Sequence, residues 1–349
     1  MRLAPLATLT AVLLALAAAL AAPVAGAAPA ARSAAPALRG DLDVHDPALL
    51  TGGPGEKWYV FASGKPGKGG GTIDIRSSAD RGRTWAYDGT VLDAMPKWAT
   101  EAVPGANNMW APAIHRHGGT YYLYYAVSTI GRNNSVIGLA TNTTLDRSDP
   151  AYRWTDQGKV IRSTPDSDFN AIDPEVVEDE TGAPWMVLGS YWSGIQMVAL
   201  EFPSGKRSAD RERRHLADRK IALNAVEAPA IVRHDGWFYL FTSWDKCCVG
   251  TDSTYRIVVG RSRAVTGPYV DRDGRALLDG GGTTVLKSSG DRIGPGGESV
   301  SDGVVAYHYY DGTKGGVPRL GLRPLTWGDG GWPELPAGDA PPGARTTAS

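Results

Sequence analysis

Three acids stand at nearly the same place in a short motif that the chain repeats. Asp46 opens Asp46-Pro47-Ala48-Leu49, Asp173 opens Asp173-Pro174-Glu175-Val176, and Glu227 opens Glu227-Ala228-Pro229-Ala230-Ile231. Ala111-Pro112-Ala113-Ile114 is a further copy, and Glu298-Ser299-Val300 a degenerate fifth. Taken singly, an Asp-Pro pair usually does no more than initiate a turn. Three ionisable groups at equivalent repeat positions point instead to one shared site. Glycoside hydrolysis asks for such a set: a protonated carboxyl to give a proton to the leaving oxygen, and an ionised one to act on the anomeric carbon or its water. A third acid close by raises the pKa of the proton donor by like-charge proximity.

The surrounding repeat says how such distant residues would meet. After each opening come a turn containing glycine and an aromatic-rich strand, over 58–63, 121–128, 185–192, 238–243 and 304–310. Successive strand starts lie roughly 53–66 residues apart, slightly more than the roughly 40–50 of simple propeller blades. Five four-stranded blades around an axis account for this spacing. Their innermost strands converge on a central channel, which would carry Asp46, Asp173 and Glu227 to the same end of it. The predicted fold class is therefore all-β, a five-bladed β-propeller with its active site at one end of the central channel.

Composition agrees. The 349 residues include Gly 44, Pro 24, Trp 11 and Tyr 14 against Phe 5, and no long segment carries a 3.6-residue apolar period, so helix should be scarce. Lysine plus arginine number 36 against 37 aspartates and glutamates, which removes the electrostatic case for nucleic acid or an anionic membrane as partner; a monomer is expected. Arg2, an Ala/Leu-rich run from Leu6 to about Ala22, and the small-residue sites Ala25-Gly26-Ala27 or Ala28-Pro29-Ala30 read as a secretory signal peptide over 1–30. The run barely reaches spanning length and is mostly alanine, which argues against a membrane anchor. A disordered linker over 31–40, the propeller over 41–335 and a disordered tail over 336–349 complete the expected organisation of a secreted, extracellular protein. The charged stretch 206–220 is expected to be a solvated surface loop between blades three and four. Cys247 and Cys248 are the only cysteines. Neighbouring Cα atoms sit about 3.8 Å apart, below the roughly 4.4–6.8 Å of ordinary bridges, so the pair is either a strained vicinal disulfide stiffening a loop or two free thiols. With no further cysteine available, zinc binding at this pair is not expected.

The motifs Asn107-Asn108-Met109-Trp110-Ala111-Pro112, Ser128-Thr129-Ile130-Gly131, Asn170-Ala171-Ile172-Asp173-Pro174, Gly189-Ser190-Tyr191-Trp192-Ser193-Gly194-Ile195, Asn224-Ala225-Val226-Glu227-Ala228-Pro229, Cys247-Cys248-Val249-Gly250 and Gly260-Arg261-Ser262 occur in this order. From about Asp43 to Trp327 the chain resembles endo-α-1,5-L-arabinanases of glycoside hydrolase family 43. The resemblance implies a five-bladed propeller and cleavage of internal α-1,5-L-arabinofuranosidic bonds, in arabinan and pectin side chains, with inversion. It implies Asp46 as general base, Glu227 as general acid, and Asp173 as pKa modulator and orienting residue. It further implies substrate contacts from Asn170, Ala171 and Ile172, from Ser190, Tyr191 and Trp192, and from Gly131 close by. Trp110 and Trp192 would offer flat faces to furanose rings, with packing between blades as the alternative for each. His308 matches the histidine that holds a single cation, calcium foremost, on the propeller axis through mostly water ligands; no organic cofactor is implied. Without the resemblance, a lone histidine on an aromatic strand reads as structural.

The chain departs from the family pattern at Ala113, where aspartate is usual, and at Gly297, where histidine is usual. Loss of a local polar contact is expected at the first, and a looser loop or altered metal affinity at the second. Rival readings are an exo-acting α-L-arabinofuranosidase or β-xylosidase on the same fold, a non-catalytic carbohydrate-binding propeller, and a retaining fructosyl-transferring propeller. A non-catalytic propeller would be expected to lose at least one of the acids, and a retaining enzyme needs its two carboxyls about 5 Å apart against roughly 6.5–9.5 Å in inverting enzymes.

Overall fold

The computed structural model describes Met1 and residues 37–338. The signal peptide, most of the linker and the tail beyond 338 lie outside the described residues.

The aromatic-rich strands are the second strands of five antiparallel sheets, and their alternation explains the architecture. Successive side chains of a strand point to opposite faces. Tyr122, Tyr124 and Ala126 accordingly enter the core shared with blade three, whereas Leu123, Tyr125 and Val127 enter the core shared with blade one. In the same way Phe238 and Leu240 pack toward blade three, and Tyr239 and Phe241 toward blade five. A sheet buried on both faces needs apolar residues at nearly every position, which is why these strands read as unbroken apolar runs. The buried residues form five cores, one at each seam between blades, and the fifth joins blade five to blade one through Trp58, Val60, Val304, Ala306 and Leu322.

The inner strands are Ala48–Leu50, Trp110–His117, Glu175–Glu178, Val226–His234 and Arg292–Ser301. Blades two and four have the expected four strands in simple succession. Blade five has three, Arg292–Ser301, Val304–Asp311 and Val317–Pro324, where four were expected. The segment before blade one closes the ring instead. Arg39–Gly40 pairs in parallel with Thr84–Trp85 of blade one, the Leu320 N–H donates to the Leu42 carbonyl at 2.9 Å, and Leu38, Leu42 and Val44 are buried between the two blades. Residues 39 and 40, assigned above to a disordered linker, thus belong to the propeller. The stretch 206–220 also differs from the expected loop. Lys206–Arg207 and Arg214–Ala217 both pair with Ile195–Glu201 and form the outer edge of blade three. Lys97–Ala102 is the one α-helix among the described residues.

Candidate active site

At the mouth of each inner strand the backbone turns into the left-handed region. Asp46 (φ 50°), Ala111 (40°), Asp173 (54°), Ala228 (50°) and Gly297 (60°) make a pseudo-fivefold ring of such residues. In four of the five a proline follows, and proline has no N–H to give to a ladder. The pairing is correspondingly interrupted between Trp110 and Ala113, Glu227 and Ala230, and Gly296 and Ser299. A bulge re-aims side chains, and holding non-glycine residues in this region costs on the order of 1–3 kcal/mol each. All five ring residues line one cavity, together with Glu175, Glu298 and Ser299. The ring refines the repeat: Ala228 is the counterpart of Asp46 and Asp173, and Glu227 lies one residue earlier, opposite Ser243.

Each of the three acids is half-buried, and their environments divide them. Asp46 Oδ2 lies 2.8 Å from His45 Nδ1 and accepts from Ser63 Oγ at 2.7 Å. Withdrawal from solvent opposes its ionisation, but the His45 charge and hydrogen bond, His308 and Ser63 outweigh this and hold the carboxyl well below the usual range. His45 is raised in return: burial works against its proton, and Asp46 retains it. Glu227 moves the other way. Burial lifts its pKa above the ordinary value, against hydrogen bonds from Ser190 and Tyr255 that favour the anion, and the Asp46 charge adds to the rise. Ser190 Oγ lies 2.7 Å from Glu227 Oε2. Asp173 is raised well above the carboxylate range by burial and then by Glu227 and Asp46, and its Oδ2 accepts from the Ala228 amide at 3.1 Å. The site therefore holds one carboxylate fixed as an anion and a buried pair, Glu227 and Asp173, that retains a proton.

Of the predicted contact residues, Ser190 joins the acids directly, and Tyr191 feels the Glu227 charge. Trp192 is 39 % exposed, and Gly131 is exposed at a loop with open space around it. Trp110 is half-buried, donates Nε1–H to Asn108 Oδ1 at 2.9 Å and packs partly against the core between blades two and three. Asn170 is buried, accepting from Ser135 Oγ at 2.6 Å. Ala171 and Ile172 have their side chains buried in the core between blades two and three and leave only their backbone to the site. Ala113 is fully buried in that core. Gly297 is confined, not loose. A Cβ there would come within 2.7 Å of both Asp46 Oδ1 and His308 Nδ1.

Several functional residues escaped the sequence reading. His45, Tyr255, Tyr310, Glu175 and Glu298 acquire their environments only when the propeller has folded, His45 beside Asp46, Tyr255 against Glu227, and Tyr310 and Glu298 through contacts with the neighbouring blades. Ser63 and Ser243 left a signal, since both end an aromatic strand of the repeat. Each also accepts from the left-handed residue of the next blade, Ala111 N–H to Ser63 at 2.8 Å and Gly297 N–H to Ser243 at 2.9 Å. Cys247 and Cys248 form the vicinal disulfide. Both sulfurs lie 3.8 Å from His45 Nε2, and the Cys248 N–H donates to the Tyr310 hydroxyl, which is 2.9 Å from His45 Nε2.

The axial residues suit a hard cation. His308 Nε2 and Glu298 Oε1 are buried without hydrogen-bond partners, and burial pushes both Glu298 and Glu175 up to about 8, a cost that a divalent ion bound by oxygen ligands relieves. Because His308 Nδ1 accepts from the Asp46 amide at 3.2 Å, the ring proton sits on Nε2. His308 would thus meet such an ion through one of its waters.

The family description Glycosyl hydrolases family 43 matches residues 35–333. The chain belongs to glycosyl hydrolase family 43. Within the family it is 38% identical over 293 residues to the extracellular endo-alpha-(1->5)-L-arabinanase 1 of Bacillus subtilis, covering 83% of this chain and 87% of that one. It is 40% identical over 309 residues to the extracellular exo-alpha-(1->5)-L-arabinofuranosidase ArbA of Cellvibrio japonicus, covering 84% and 86%. The Cellvibrio cellulosa alpha-L-arabinanase complexed with arabinohexaose superposes with a TM-score of 0.78 at 37% identity, over 84% of this chain and 96% of that one. The fold is that of the family 43 five-bladed propeller, and the protein is a glycoside hydrolase.

Proposed function

We propose that this family 43 enzyme is secreted and hydrolyses internal α-1,5-L-arabinofuranosidic bonds of arabinan with inversion at the anomeric carbon. One observation carries the reading: the same ring holds a carboxylate kept ionised by His45 and a buried carboxyl pair that keeps a proton. In the proposed step Asp46 takes a proton from a water as that water's oxygen bonds to the anomeric carbon. Glu227 gives its proton to the departing glycosidic oxygen as the C–O bond breaks. Asp173 shares the retained proton with Glu227 and, accepting from the Ala228 amide, holds the bulge that carries Glu227. A cation on the axis, calcium foremost, would offset the charge of the converging acids. The substrate is read from relatives named for arabinan cleavage.

Linear α-1,5-arabinan followed by NMR tests this. A spread of oligosaccharides whose new reducing ends appear first as the β-anomer is expected. Arabinose as the sole early product would favour the exo reading, which the Cellvibrio japonicus relative keeps in view, and initial α-anomer would remove the inverting mechanism.

A further inference from the structure

Farther along the inner strands, the seam between blades two and three carries a cluster that the glycosidase chemistry does not use. His115 and His117 alternate on the strand Trp110–His117 and so face the same side. Glu178, the last residue of Glu175–Glu178 in the next blade, faces them. Glu178 lies five residues beyond Asp173, about 16 Å at roughly 3.3 Å per residue. Its Oε1 is 3.4 Å from His115 Nε2 and 3.5 Å from His117 Nδ1, and the three ligand atoms all lie within 4.8 Å of one another.

These separations are too long for charge-assisted hydrogen bonds, which close to about 2.7–2.9 Å. They match the edge of a tetrahedron built on metal–ligand bonds of 2.0–2.1 Å, about 3.3–3.4 Å. His115 Nε2 is moreover buried with no hydrogen-bond partner, a position that costs free energy unless something binds there. Phe202, from blade three, lies parallel to both imidazoles, at 5.5 Å and 4° from His115 and 4.2 Å and 14° from His117. Stacking against one plane holds the two rings in a common orientation.

We propose that His115, His117 and Glu178 bind one divalent transition-metal ion of the zinc class, which ties blade two to blade three. Two imidazoles and a carboxylate suit zinc, whereas calcium and magnesium prefer oxygen alone. His117 and Glu178 are part-exposed, 44% and 39%, so ions can enter from solvent, which supplies the remaining ligand.

The test uses purified full-length enzyme freed of metal by chelator and dialysis. Titration with Co2+, read by the visible absorption of tetrahedral cobalt, and with Zn2+, read by calorimetry, should show one equivalent bound at micromolar concentration. His117→Ala and Glu178→Gln remove exposed side chains and should fold normally by circular dichroism while weakening that binding by about 100-fold or more, beyond the 10–100-fold typical of losing an outer-shell partner. Asp46→Asn should bind Co2+ like the wild type, which separates this site from the His45, Asp46 and His308 group. No uptake by the wild type at roughly a hundred times the protein concentration, for a donor set of two imidazoles and a carboxylate that suits zinc, would overturn the proposal. So would uptake unchanged in both variants, or lost in Asp46→Asn.

Discussion

Asp46 and Glu227 differ in what their environments do to a proton, and that difference is measurable. Each alanine variant should lose about 10²–10⁴-fold in kcat, the usual weight of a general acid or base, with the fold intact by circular dichroism. An aryl arabinoside with a good leaving group needs no proton from the enzyme, so it should partly restore Glu227→Ala and leave Asp46→Ala inactive; equal restoration would undo the assignment. For Asp173→Asn the alkaline limb of kcat against pH should move down, because Glu227 loses the second carboxyl with which it shares a proton. It should not fall to the ordinary glutamate value, since burial is the larger cause of the Glu227 shift. An unmoved limb would remove the modulator role. These three acids were legible because a proline follows within two residues of each, in a motif that repeats. His45 and Tyr255 were not, because nothing local distinguishes a lone histidine or tyrosine that the fold will set against a catalytic acid. Ala171 and Ile172 show a related limit: their motif runs into Asp173 while their side chains belong to the core below it.

Each inner strand begins at a left-handed residue, and this shared element geometry sets what can be changed. Gly297 is glycine for two reasons, φ +60° and a Cβ position already occupied by Asp46 Oδ1 and His308 Nδ1. Gly297→Ala should destabilise the protein by about 1–3 kcal/mol, measured by denaturant midpoint, and should lower kcat by displacing Asp46. Unchanged activity would mean that the carboxylate yields without consequence. Ala111 and Ala228 accept the same backbone geometry with a methyl group and show that the turn follows from the bulge, not from the acid. The repeat period predicted these elements, and Glu227-Ala228-Pro229 against Asp173-Pro174 already set Glu227 one residue ahead, but the repeat could not show that the residue before the proline is the left-handed one. The outer strands were the least legible. Arg214–Ala217 lies in a highly charged stretch whose composition resembles a solvated loop, and only pairing with Ile195–Glu201 makes it a strand.

Across the whole molecule, charge converges on the axis while apolar cores fill the five seams. Glu175 and Glu298 have folded pKa values near 8, above their ordinary 4.5, so the folded state binds more protons than the unfolded one between those limits. Stability should then fall as pH rises from about 4.5 to 8. The depressed Asp46 acts in the opposite sense, contributing stability above its ordinary pKa that is lost as pH falls further. In the presence of chelator, the urea midpoint should decline from pH 5 to pH 8, and Glu298→Gln, which resembles the protonated acid, should flatten that decline. A slope identical in the variant would contradict the account of Glu298.

The closing contact between Leu42 and Leu320 also sets a timetable. Contacts such as the Leu49 amide with Ser299 Oγ join residues 250 apart, and contacts of such separation form late because loop closure must precede any gain from them. Until Val304–Asp311 and Val317–Pro324 have been synthesised, Trp58 and Val60 of the first blade have Leu38, Leu42 and Val44 beside them but lack Val304, Ala306, Leu320 and Leu322 on their fifth-seam face. A nascent chain therefore remains an open arc for nearly its whole synthesis, and the first blade is shielded only when the last arrives. Ring closure thereby makes the first blade depend on the last: a product cut short of it would keep an apolar face exposed, which Val304, Ala306, Leu320 and Leu322 cover in the closed ring.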